Sequence, residues 1–181
     1  MLNLTDWSTK NIRQDESHPT WLEERKYEWI PLLKSVMYRL FAGEALILVT
    51  DRERDWFANY VAHSINKTSA RPYLPILSIN ALFPQIDKAK EEELEIALIN
   101  DYLDNLFTKR CFFWYVGKNN SARAKLALSR EGGFLWIFDE EMQNSFTLQS
   151  SDNLVDIKLM QLYRIFNHTL EAMLLGKVSL D

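Results

Sequence analysis

Three short segments hold most of the residues able to do chemistry, and each follows an apolar run. Thr50-Asp51-Arg52-Glu53-Arg54-Asp55-Trp56 has three carboxylates and no glycine, and Gly117-Lys118-Asn119-Asn120-Ser121-Ala122-Arg123 combines a glycine, hydroxyl and amide groups and two cations. Asp139-Glu140-Glu141 is acidic. A phosphate loop needs glycine for close backbone approach and the bare amides of a helix N-terminus to meet the anion. The second segment fits that need best, which makes Lys118 and Ser121 candidates for an anion site, with Asn120 or Ser121 as an ordinary helix N-cap the plainer alternative. The acids of the first segment suit a helix dipole and oppose an anion there, and Thr50 with Glu53 has capping-box spacing. Asp51 and Asp139 could form a hard-cation site for phosphoryl transfer if their strands were neighbours, which nothing in the sequence fixes.

His18, His63 and His168 are far apart and have no metal-ligand spacing with one another or with a cysteine, so no metal site is expected. His63 reads as a helix-surface residue and His168 as a hydrogen-bonded interface residue. The chain has no G-x-S-x-G elbow, no Walker loop and no G-x-G-x-x-G, so the common nucleophilic and nucleotide chemistries lack their usual support. No catalytic residue and no cofactor is assigned.

The elements that would position these segments follow from periodicity. Apolar runs at Ala45–Val49, Ile76–Ile79, Cys111–Val116 and Phe134–Phe138 read as strands, with a short fifth at Phe146–Gln149. Between them, 52–66, 88–108 and 121–130 are long enough to return the chain for parallel pairing. Strands apolar on both faces imply helices on both sides, as in a doubly wound sheet. Ligands of such folds bind beyond the carboxyl ends of the strands, where the three polar segments fall. The charged run Lys88–Glu95 reads as a solvated helix face.

Upstream, Leu4–Gln14 reads as a helix that breaks at Ser17-His18-Pro19. A second helix follows, with Thr20 and Glu23 at capping-box spacing and Trp29, Leu33, Val36 and Leu40 on one stripe. Pro31 predicts a kink near Tyr27 or two helices meeting at Ile30-Pro31. A final helix over 153–175 carries Val155, Leu159, Leu162, Phe166, Leu170 and Met173 on one stripe, with Ile157, Met160 and Ile165 beside it. The expected organisation is one α/β domain of a helical layer (1–42), a sheet core (44–150) and a long C-terminal helix (152–176).

At 181 residues, with 47% apolar and 25% charged residues, the chain can bury a core without disulfides. A net charge of −4 and a pI near 5.5 argue against direct binding to a phosphate backbone. The N-terminus lacks the basic start and long apolar run of a signal peptide, no membrane span is expected, and the single Cys111 suits a reducing compartment. These features predict a cytoplasmic protein.

Phe146-Thr147-Leu148-Gln149 followed by 155–174, with His168 late in the helix, is similar to the end of sugar-isomerase (SIS) domains. Trp21 to Leu33 (WLEERKYEWIPLL), Thr50 to Phe57 (TDRERDWF), Ser64-Ile65-Asn66 and Arg71-Pro72-Tyr73-Leu74-Pro75 resemble the HobA family over essentially the full length. That resemblance implies an SIS-like modified Rossmann domain: a doubly wound parallel sheet of four to five strands with N-terminal helices and a long C-terminal helix. It further implies a homotetramer without catalytic activity, a functional counterpart of DiaA. Its expected role is to bind the N-terminal domain of the initiator DnaA and promote its assembly at the replication origin. The alternative is an SIS-type phosphosugar isomerase or binding protein using Lys118, Ser121 and His168. Contacts to a protein partner are expected at Trp56, beside an acidic turn, and at Leu174, Leu175 and Val178, which continue past the stripe of the final helix.

Overall fold

The computed structural model describes residues 2–67, 71–84, 86 and 93–180. In chain order the elements are β1 (Leu2–Asn3), α1 (Leu4–Gln14), α2 (Thr20–Glu24), α3 (Lys26–Phe41), β2 (Ala45–Thr50), a 3-10 turn at Arg52–Arg54, and α4 (Asp55–Ser64). They continue as β3 (Ile76–Ser78), α5 (Ile79–Leu82), α6 (Glu93–Leu106), β4 (Cys111–Lys118), α7 (Ala122–Leu128), β5 (Phe134–Phe138), β6 (Ser145–Leu148), α8 (Val155–Leu174) and β7 (Val178–Ser179). These form two compact units, one of residues 39–148 and one of 2–38 with 149–180.

The first unit is built on a five-stranded sheet, wholly parallel, in the order β3-β2-β4-β5-β6. The five expected strands appear within two residues of their expected bounds. Alternation sends Leu48, Trp114 and Trp136 to one face and Ile47, Phe113 and Ile137 to the other. On the first face Phe57 of α4 seats among aromatic rings, 5.9 Å from Trp114 and 5.7 Å from Trp136, centroid to centroid. On the second, Leu103 of α6 and Leu126 of α7 join the buried cluster of Ile47, Phe113, Tyr115 and Ile137. Burial on both faces is why these strands read as unbroken apolar runs. Winding starts at β2, moves to β3, then reverses to β4, so the topological switch point lies between β2 and β4. Of the charged run Lys88–Glu95, residues 88–92 lie outside the described residues; Glu93 and Leu94 are exposed.

In the second unit α1 packs against α2 and α8, and β1 pairs in parallel with β7, Leu2 opposite Val178. Trp21 Nε1 donates to Gln161 Oε1 at 2.7 Å, and Gln161 Nε2 donates to the Ser17 carbonyl at 2.9 Å, fixing α8 to the turn before α2. Trp29, Leu33 and Val36 of the expected stripe are buried, and so are Leu159, Leu162, Ile165, Phe166, Leu170 and Met173 of α8. Ile157 is 55% exposed and Met160 half-buried, so one flank of α8 is more open than its composition suggested.

Two helix starts differ from the expected ones. Pro19, not Thr20, holds the N-cap position of α2, with no side-chain cap. The break falls at Arg25, where α2 ends, and Pro31 continues inside α3. Pro31 lies in the second turn of α3, so its missing donor costs the bond to the carbonyl of Tyr27, an exposed residue in the first turn. Among the described residues no helix is long and apolar enough to cross a membrane.

Candidate functional site

The carboxyl ends of β2 and β4 lie side by side, Thr50 opposite Val116, and their loops meet over the switch point. Asp51 follows β2 with extended backbone, and its Oδ1 accepts the Arg54 N–H at 3.1 Å. The N-cap is therefore Asp51 and not Thr50, since Thr50 is still in the strand. The second carboxylate oxygen of Asp51 accepts the Lys118 N–H at 2.9 Å and Arg54 Nη1 at 2.5 Å. Asp51 and Arg54 are both buried, and the Arg54 guanidinium lies 3.6 Å from the centroid of the Phe138 ring. The amide that could have met a ligand anion is met by the protein's own carboxylate.

A second ion pair closes the other side. Arg123 Nη1 donates to Asp55 Oδ1 at 2.6 Å and to the Thr50 carbonyl at 3.0 Å, while Thr50 Oγ1 donates to the same Asp55 oxygen at 3.1 Å. Arg123 is thus committed to α4, and does not serve as a cation for an anion in its own loop. Tyr115 donates its hydroxyl to the Lys118 carbonyl at 2.6 Å. Burial pushes this phenol up to about 12, so it stays a protonated donor. Gly117 leaves room for this arrangement: a Cβ there would lie 2.7 Å from Asp51 Oδ2 and 2.8 Å from the Tyr115 hydroxyl.

Ser121 is the N-cap of α7, its Oγ accepting the Ala124 N–H at 3.1 Å. Lys118 Nζ lies 3.7 Å from Asp139 Oδ2, in a pair about one-third exposed and weak for that reason. Asp51 and Asp139 follow β2 and β5, which β4 separates, so their strands are not neighbours. Among the described residues no three histidine, cysteine or carboxylate side chains form a metal-holding group. His63 is exposed, its Nδ1 2.8 Å from the Asn59 carbonyl. His168 belongs to the second unit, with Nδ1 3.8 Å from the buried Asp15 carboxylate, which also has Arg164 Nε at 3.5 Å. Among the described residues, the switch point is laced by internal pairs, Asp51 with Arg54 and the Lys118 amide, and Asp55 with Arg123.

The residues expected to meet a partner divide. Trp56 is 40% exposed on the outer face of α4, braced edge-on by Phe57 at 5.8 Å, with Tyr60 one turn on and 46% exposed. Leu175 is 50% exposed at the end of α8 and Leu174 is half-buried. Val178 is a correction, being buried at 4%. The cause is Gly176, in left-handed backbone (φ 68°), which lets its own N–H reach the Met173 carbonyl and the Lys177 N–H reach the Ala172 carbonyl. This turn reverses the chain and carries Val178 into the strand beside Leu2. Tyr60 went unread, although its spacing from Trp56 places both on one helix face.

The chain is similar to known proteins along its length. The family described as "HobA: DNA replication regulator" matches residues 1–180. The DNA replication regulator protein HobA of Helicobacter pylori is 30% identical over 189 residues, covering 99% of this chain and all of that protein. A crystal structure of HobA from Helicobacter pylori superposes with a TM-score of 0.76 at 28% identity, covering 99% of both chains. A crystal structure of a HobA-DnaA (domain I-II) complex from the same organism gives 0.75 at 29% identity, again over 99% of both chains. With a match that runs through both units, this chain belongs to the HobA family of DNA replication regulators.

Proposed function

We propose that this protein binds the N-terminal domain of the replication initiator DnaA and promotes its assembly at the origin, acting as a cytoplasmic scaffold without catalysis and without direct contact to nucleic acid. The observation that carries the reading is the full-length likeness to a HobA solved in complex with DnaA domains I–II. The switch point supports it, because its amides and cations are already paired internally. The acidic net charge supports a protein partner over a phosphate backbone. We carry the two units as one working domain, assembled into a homotetramer that presents several copies of one surface.

Trp56 with Tyr60, and Leu175 with Leu174, are the proposed contacts. A large aromatic ring braced from behind and rimmed by charge has the character of a hot spot. Val178 supports that end of α8 from beneath and does not touch the partner. Surface plasmon resonance with immobilised DnaA domains I–II tests the function: saturable binding is expected, and its absence with folded protein overturns the reading.

A further inference from the structure

Asp15 closes α1 as its C-cap, and a carboxylate at that end has the wrong sign for the helix dipole. Its side chain is also wholly out of solvent. Oδ1 accepts the Ser17 N–H at 2.8 Å and the Ser17 hydroxyl, but Oδ2 accepts no hydrogen bond from the described residues. A buried charge so placed depends on a nearby cation. The cations come from α8, the helix α1 packs against, where Arg164 Nε lies 3.5 Å and His168 Nδ1 3.8 Å from Oδ2.

The two partners differ in what they can do. Arginine stays charged throughout the physiological range, whereas a histidine gains or loses its charge between about pH 5 and 8. The His168 side chain is 43% exposed, so it exchanges protons with solvent on one side while it faces Asp15 on the other. Burial opposes ionisation of Asp15, but the Ser17 hydrogen bonds and the two facing cations together outweigh it, so the carboxylate stays charged across the histidine range. On α8 itself, Arg164 one turn before His168 opposes protonation of the imidazole, and Glu171 one turn after favours it. The other titratable groups at this level of the packed elements, Arg13, Glu16, His18 and Lys177, are exposed.

We propose that Asp15 and His168 form a proton-sensitive latch between α1 and α8, which holds the N-terminal segment more tightly when the imidazole is charged. Protonation sets a second cation against Asp15 in the docked state and none in the opened one. The added stability is therefore complete at the acid end of the histidine range and is lost as pH rises through it. Arg164 keeps α1 docked at the alkaline end, so the latch tunes a local opening without unfolding the chain. Because β1 begins the same segment and pairs with β7, the latch also steadies the strand that follows α8.

Hydrogen exchange of the full chain between about pH 5.5 and 8 tests it, each rate being divided by the intrinsic rate at that pH. Protection of the α1 amides relative to those of β4 and β5 is expected to fall roughly two- to five-fold across that range in the wild type. In His168→Gln, which keeps a hydrogen-bonding side chain without the charge, the ratio is expected to stay level. A level or rising ratio in the wild type overturns the proposal, as does the same fall in folded His168→Gln. A second measurement needs the wild type alone. The carbon-13 resonance of the Asp15 carboxylate is expected to step with the same midpoint as the His168 ring signals, and the absence of that step overturns the proposal even if the variant fails to fold.

Discussion

The carboxylate of Asp51 accepts the backbone N–H of Lys118 at 2.9 Å, joining the ends of the two central strands through a side chain. The same carboxylate neutralises the buried Arg54. Asp51→Ala leaves that guanidinium with the exposed Glu53, 3.2 Å away, as its nearby counter-charge. The expected loss is on the order of 3 kcal/mol, at the lower end for a broken buried pair because Glu53 remains. Urea unfolding measures it, and a loss below about 1 kcal/mol would place the pair in solvent.

The same contact makes anions poor ligands. Calorimetric titration with a hexose phosphate is expected to give no saturable heat at micromolar concentration, because an anion must displace Asp51 from the Lys118 amide. Saturable binding that weakens in Lys118→Ala or Ser121→Ala would restore the phosphosugar reading.

Tyr115 predicts an alkaline limb in stability. Burial raises its phenol from 10.0 to about 12, so the folded state holds the proton more tightly than the unfolded state. The sign is that of a raised group: its contribution is complete below pH 10 and is lost as pH rises toward about 12. Tyr115→Phe removes this limb and costs about 1 kcal/mol at neutral pH through the lost bond to Lys118. Denaturant midpoints measured between pH 8 and 12 distinguish the two chains.

Asp15 predicts an acid limb of opposite sense. Burial raises its carboxyl, but the side-chain and backbone hydrogen bonds from Ser17 together with the charges of Arg164 and His168 outweigh burial, so its pKa falls below 3.8. A depressed carboxylate stabilises the fold above the unfolded value and loses that contribution as pH falls through the folded one. The stability gap between wild type and Asp15→Asn is expected to narrow as pH drops below about 4. A gap that stays constant from pH 6 to 3 would contradict the assignment.

Trp56→Ala and Leu175→Ala are each expected to weaken binding of DnaA domains I–II by at least about 1 kcal/mol, roughly five-fold in Kd, with the oligomer intact. Unchanged affinity in both variants would move the contact surface elsewhere.

The strands were legible because burial on both faces leaves each as an apolar run bounded by polar residues. Helix starts were less so, since capping-box spacing marks candidates without choosing among them. Thr50 and Asp51 both qualify as acceptors, and the choice depends on where β2 stops pairing with β4. The engagement of Asp51 with Lys118 lay beyond the sequence for a related reason: no local pattern states that β4, and not β3, follows β2 across the switch point. Lys118 and Arg123 looked alike as loop cations, and only tertiary placement commits Arg123 to Asp55. Val178 misled because its residue type suits an exposed anchor as well as a strand, while Gly176 two positions earlier was the available sign of a reversal.

The pairing of Leu2 with Val178 has a consequence for how the molecule is made. Helices α1 and α2 leave the ribosome early, but α8, against which α1 packs, begins at Val155. At about 5–20 residues per second their partner arrives on the order of ten seconds later. Residues 39–148 can complete their sheet within that interval. Through it, the apolar sides of Leu4, Ile12 and Leu22 wait uncovered, so the nascent chain is open to chaperone capture or misassociation at α1 and α2.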